Sequence, residues 1–150
     1  MRYTAFSTDP AGGNPAGVWI GNELPSKEDM QALARELGYS ETVFIAPMKG
    51  LTRIVRYYSP GMEVSFCGHA TIASGVALGK VDGPGRYMFS TLAGDISVSV
   101  TEHGGQFRAA LTSVEPKTAE AGAAVVGDVL STLGWTLGDL DASIPPIRAF

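Results

Sequence analysis

Strict alternation of apolar and polar positions marks the stretch from Ile96 to Leu111 of the 150-residue chain. Ile96, Val98 and Val100 alternate with Ser97, Ser99 and Thr101, and beyond Glu102-His103-Gly104-Gly105 the pattern resumes at Phe107, Ala109 and Leu111. This period of two predicts a hairpin of half-buried strands. Arg86–Thr91, ahead of the Ala93-Gly94 turn, is expected to pair with it. Further strands are predicted at Arg2–Ser7, Val18–Ile20, Glu41–Ala46, Leu51–Ser59 and Glu63–Phe66, with a turn-rich loop over Asp9–Gly17.

Helical periodicity interrupts the strands. Ser26 is placed as an N-cap with Asp29 three residues on, Met30, Leu33, Ala34 and Leu37 share one face, and Gly38 is the stop. A second helix, about Ala70–Leu78, carries Ile72, Ala73, Val76, Ala77 and Leu78 and no charged face. A helix without a polar side is buried, and its small residues would let strands approach all round it. The pattern therefore predicts an α+β domain, a curved mixed sheet wrapped around a central apolar helix.

Near Glu115-Pro116 the composition changes. Residues 1–116 are read as one domain and 117–146 as an Ala-rich linker carrying a helix at about Val125–Leu133. Ile147-Arg148-Ala149-Phe150 reads as the entry into another strand, the start of a further domain.

Composition narrows the class. Hydrophobic residues at 45% and charged residues at 17% describe a packed globular protein. A formal charge of −4 with eleven scattered Lys and Arg disfavours nucleic acid and anionic membrane as partners. No apolar run approaches the roughly 18–20 residues of a membrane helix. With no signal pattern, and one cysteine that has no internal disulfide partner, a cytoplasmic location is expected.

The single cysteine stands in Cys67-Gly68-His69, where the short strand gives way to the apolar helix. Two readings stand for Cys67: a buried small hydrophobe, or a thiol whose pKa a helix N-terminus depresses. His69 is either a satisfied structural histidine or half of a thiol–imidazole site, with Gly68 letting a ligand approach the backbone. No second Cys or His lies at metal-ligand spacing, so no metal site is expected. Glu41, between Ser40 and an apolar run, is either a solvated carboxylate or a half-desolvated one suited to proton transfer. Asn14, in the Gly12–Gly17 loop, is either plain turn chemistry or an amide offered to a substrate carboxylate. His103 and Glu63 read as structural or solvent-facing.

Taken together, Gly13-Asn14-Pro15-Ala16-Gly17-Val18, Leu37-Gly38-Tyr39-Ser40-Glu41-Thr42-Val43-Phe44, Arg56-Tyr57-Tyr58-Ser59-Pro60 and Glu63-Val64 through Cys67-Gly68-His69-Ala70-Thr71 resemble the PhzF (phenazine biosynthesis-like) family, over roughly residues 1–115. The resemblance implies one of the two similar half-barrel domains of the diaminopimelate epimerase-like fold. It also implies cofactor-free isomerisation of a small carboxylate-bearing substrate in a cleft between the domains. Carried over by motif, Glu41 becomes the general acid/base, and Gly68 and His69 bind and polarise the substrate. Asn14, Ser40 and Cys67 line the same cleft. The family's second domain supplies further groups, so the chain is expected to be an N-terminal half that needs that domain or another subunit. Two alternatives remain at this point. One is a racemase pairing Cys67 with a cysteine on a missing domain; the other is a non-catalytic domain that self-associates, as in a homodimer.

Overall fold

A computed structural model describes every residue except Pro10, Ser113, Val114, Pro116 and Phe150. Pro116 of the expected boundary and Phe150 of the expected second-domain entry thus lie outside the described residues. The chain divides into two units, Met1–Val114 and Glu115–Phe150.

In the first unit, strands β1 (Arg2–Ala5), β2 (Asn14–Ile20), β3 (Thr42–Pro47), β4 (Thr52–Tyr58), β5 (Glu63–Val64), β6 (Gly85–Thr91), β7 (Gly94–His103) and β8 (Gln106–Thr112) form one mixed sheet. Its order is β1-β2-β3-β4-β6-β7-β8, with β5 attached to β4. The two parallel neighbours, β2·β3 and β4·β6, are joined by the crossover helices α1 (Lys27–Leu37) and α2 (Gly68–Asp82). The remaining pairs are antiparallel.

The two helices cover opposite faces. Val18, Val43, Ile45, Val55, Tyr57, Tyr87, Phe89, Ile96 and Val98 cluster with Ala70, Ala73, Ala77 and Leu78 of α2. Phe44 and Tyr58 point the other way and meet Met30 and Ala34 of α1. Covered on both sides, β3 is buried from Thr42 to Ala46, which is why its sequence is a continuous apolar run. Close approach to α2 depends on glycine: a Cβ on Gly75 would lie 2.7 Å from Ala109 Cβ and 2.9 Å from Val98 Cγ1.

Several boundaries differ from the sequence reading. β2 begins at Asn14 and passes through Pro15, which a strand tolerates only where its missing N–H has no partner. Val18 exchanges both backbone bonds with Met1, whereas Gly17 donates to the Glu41 carbonyl, on the β3 side. Pro15 faces the same way as Gly17, just before pairing with β3 begins, so no ladder bond is lost. α2 extends four residues past Leu78, to Asp82. The sheet does not close around it: Ile72 and Val76 of α2 face a groove lined by Tyr3–Thr8 and Phe107–Ala109, along the outer strands β1 and β8. The wrapping is that of a half-barrel.

The second unit holds α3 (Ala123–Leu133) and an antiparallel ribbon of β9 (Thr118–Glu120) with β10 (Ile147–Ala149). The stretch Lys117–Ala124 read as linker thus contains a strand. Its pairing partner lies almost thirty residues away, and nothing local in Thr118-Ala119-Glu120 announces it. No helix among the described residues is long and apolar enough to cross a membrane.

Candidate active site

Glu41 lies one residue before β3. Gly38 caps α1 in the left-handed conformation (φ 67°), turning the chain through Tyr39 and Ser40. The Glu41 carbonyl then accepts the Gly17 N–H at 3.1 Å, which holds its backbone against β2. Its side chain is left facing His69 at the start of α2.

Cys67 is the N-cap of α2, in extended conformation, and its side chain makes no capping bond. The Cys67 carbonyl accepts from the Thr71 N–H at 3.0 Å and from the Thr71 hydroxyl at 2.7 Å. The Thr71 hydroxyl also meets the buried Tyr57 hydroxyl at 2.7 Å. This chain of bonds pins the first turn of α2 to β4, and with it the orientation of Gly68 and His69.

The two termini bring the predicted residues together. His69 Nδ1 lies 3.2 Å from Cys67 Sγ, and its Nε2 lies 3.4 Å from Glu41 Oε2 and 3.3 Å from Ser40 Oγ. The imidazole is 10% exposed and the Glu41 side chain 21%, so both are largely withdrawn from water yet reachable. A Cβ added at Gly68 would meet nothing within 4 Å, so no neighbouring side chain requires a glycine there and the space before it is open.

Of the two readings of Cys67, the pKa goes with burial and not with the helix N-terminus. Burial, reinforced by the Glu41 charge, pushes the Cys67 pKa up to about 11, although backbone N–H groups at the start of α2 pull the other way. A helix N-terminus favours thiolate; here desolvation and a neighbouring carboxylate outweigh it. At neutral pH the sulfur therefore carries its proton, with His69 Nδ1 and Glu41 as acceptors within reach. Donation to Nδ1 places the ring proton on Nε2, facing Glu41 and Ser40.

Asn14 does not join this cluster. It is exposed at the start of β2 opposite Ala5, and no hydrogen bond among the described residues ties it to Ser40, Glu41 or His69. Glu63, read as structural or solvent-facing, is half-buried and pairs with Arg56 at 3.6 Å. The Tyr57–Thr71 bond escaped the sequence reading. The only hint was two polar-capable residues, one in an apolar strand and one on a helix face otherwise small and apolar.

Residues 3–136 match the family described as phenazine biosynthesis-like protein, PhzC-PhzF. The chain belongs to this family. It is 37% identical over 120 residues to "Uncharacterized isomerase YfhB" of Bacillus subtilis strain 168, covering 78% of this chain and 41% of the relative. Among solved structures it is similar to the PhzF-family phenazine biosynthesis protein of Bacillus anthracis. That match has 27% identity and a TM-score of 0.76, with 99% of this chain and 50% of the other covered. A predicted epimerase of Pseudomonas aeruginosa superposes with a TM-score of 0.86 at 20% identity, covering 97% of this chain and 53% of that one, a likeness of fold. The fold is thus that of the diaminopimelate epimerase-like proteins. The chain spans about two fifths of the length of curated relatives such as YfhB.

Proposed function

We propose that this PhzF-family chain is the N-terminal half of a cofactor-independent isomerase or epimerase that moves a proton on a small carboxylate-bearing metabolite. Glu41 is the general acid/base, and the observation that carries this reading is its largely buried carboxylate lying 3.4 Å from the His69 imidazole. In the forward step a Glu41 oxygen takes the proton from a carbon next to the substrate carboxylate. The electron pair left behind delocalises as an enolate, and the protonated Glu41 returns its proton to the same carbon or to another. His69, held by Ser40, donates Nε2–H towards the charge that develops, and the open backbone at Gly68 receives the substrate carboxylate.

The remainder of the longer protein, as a second PhzF-like domain or another subunit, supplies the opposite wall; Asn14 is assigned to the rim. The isomerase name carried by the relative supports the reaction class. A thiol racemase built on Cys67 draws support from its 3.2 Å contact with His69, but a thiol raised to about 11 is a poor base at neutral pH.

The test is incorporation of solvent deuterium into a panel of small carboxylic acids by the full-length protein. Glu41→Gln is expected to lower the exchange rate by about 10²–10⁴-fold, the contribution of a positioned acid/base group. Exchange by this variant at the wild-type rate would overturn the assignment.

A further inference from the structure

The sequence contains no Cys and His pair at the spacing of a zinc motif, but the fold supplies a third donor from elsewhere in the chain. Glu41, twenty-six residues before Cys67, is brought against Cys67 and His69 so that one ligand atom from each lies within 4.8 Å of the others. We infer that Cys67 Sγ, His69 Nδ1 and Glu41 form an open three-ligand site for a thiophilic divalent cation of the zinc type.

The donor set is selective. Thiolate and imidazole favour zinc-like ions over magnesium or calcium, which take oxygen ligands. Around a tetrahedral zinc ion, bond lengths near 2.3 Å to sulfur and 2.0 Å to nitrogen set the sulfur and nitrogen about 3.5 Å apart. The observed 3.2 Å needs only a few tenths of an ångström of movement to reach that spacing. Ligation through Nδ1 leaves Nε2 beside Ser40 at 3.3 Å, the outer hydrogen bond that fixes a metal-bound imidazole, and the Glu41 carboxylate, 3.4 Å from Nε2 in the metal-free geometry, turns towards Sγ to reach the ion. The cation displaces the thiol proton to solvent, and Sγ, Nδ1 and a carboxylate oxygen fill three positions, leaving a fourth for water or a ligand.

The consequence for turnover rests on the proposed function. An ion on Glu41 and His69 occupies the acid/base group and its partner, so zinc is a reversible inhibitor that a chelator relieves. Binding itself does not depend on that reading.

Calorimetric titration of the full-length protein with Zn²⁺, and visible and near-ultraviolet spectra with Co²⁺, test the site. Wild type is expected to show thiolate-to-cobalt charge transfer that Cys67→Ser abolishes, with zinc affinity at least tenfold weaker in that variant, as a lost ligand requires. Equal zinc affinity in wild type and Cys67→Ser overturns the proposal. X-ray absorption of the zinc-loaded wild type needs no variant: a sulfur in the shell supports the site, and a shell of oxygen and nitrogen alone refutes it. Zinc inhibition of proton exchange that is lost in Cys67→Ser, with each protein's rate referred to its own zinc-free rate, separates the two proposals. If Glu41→Gln still exchanges at full rate while zinc binds wild type, the acid/base assignment fails and the metal site stands.

Discussion

At Cys67 two opposing influences meet, and their outcome decides what the residue does. The N-terminus of α2 offers backbone N–H groups, which favour thiolate; burial and the Glu41 carboxylate favour the thiol, and they win, raising the pKa to about 11. Alkylation of Cys67 by iodoacetamide should therefore be slow near neutrality and rise towards pH 11, and Glu41→Gln should move that rise to lower pH. A rate already saturated at pH 7 would contradict the account. The same shift affects stability. The folded thiol holds its proton above the ordinary thiol value of 9, so this contribution is present below about pH 9 and is lost as pH rises towards 11. Cys67→Ser should lack that alkaline loss in denaturant titrations. Single residues were legible in the sequence as candidates, not as partners. Ser40, Glu41, Cys67 and His69 stand out by type and motif. That His69 sits between a thiol and a carboxylate follows from two chain segments meeting in space, and no local pattern encodes it.

The elements that place those residues are held by a few close contacts. Tyr57, on β4, and Thr71, on α2, share a buried hydrogen bond that also supports the Cys67 carbonyl. Thr71→Val leaves the Tyr57 hydroxyl unpaired in the core and should cost about 1–3 kcal/mol in chemical denaturation. Thr71→Ser keeps the hydroxyl and should recover much of that loss. Gly75 is a second such point, because any side chain there meets Ala109 and Val98. Gly75→Val should destabilise by at least the about 1–3 kcal/mol of an overpacked core. The hairpin β7–β8 and helix α1 were plain from periodicity and capping, since both signals are local: Ser26 does cap α1, its hydroxyl accepting the Asp29 N–H at 3.1 Å. β9 was not, because its partner among the described strands is β10, far along the chain.

On the scale of the molecule, the first unit is an open half-barrel whose central helix shows Ile72 and Val76 at the gap between β1 and β8. The charge-free stretch Ala70–Leu78 announced the burial of α2, but it did not show that the sheet would stop short of enclosing it. Where the strands end is a property of the sheet path, not of any one element. The matched relative is more than twice as long as the stretch it shares with this chain, and the proposal assigns the opposite wall of the cleft to that remaining length. The 150-residue chain alone should therefore exchange substrate protons at least a hundredfold more slowly than the full-length protein, a loss of the order assigned to one positioned group. Equal rates would remove the need for a second wall.

The central claim is that the carboxylate of Glu41, and not the thiol of Cys67, moves the proton. Side-by-side deuterium exchange by full-length Glu41→Gln and Cys67→Ser tests it most directly. The account predicts exchange reduced by about 10²–10⁴-fold in the first variant and near the wild-type rate in the second. Exchange retained in Glu41→Gln and abolished in Cys67→Ser would contradict it.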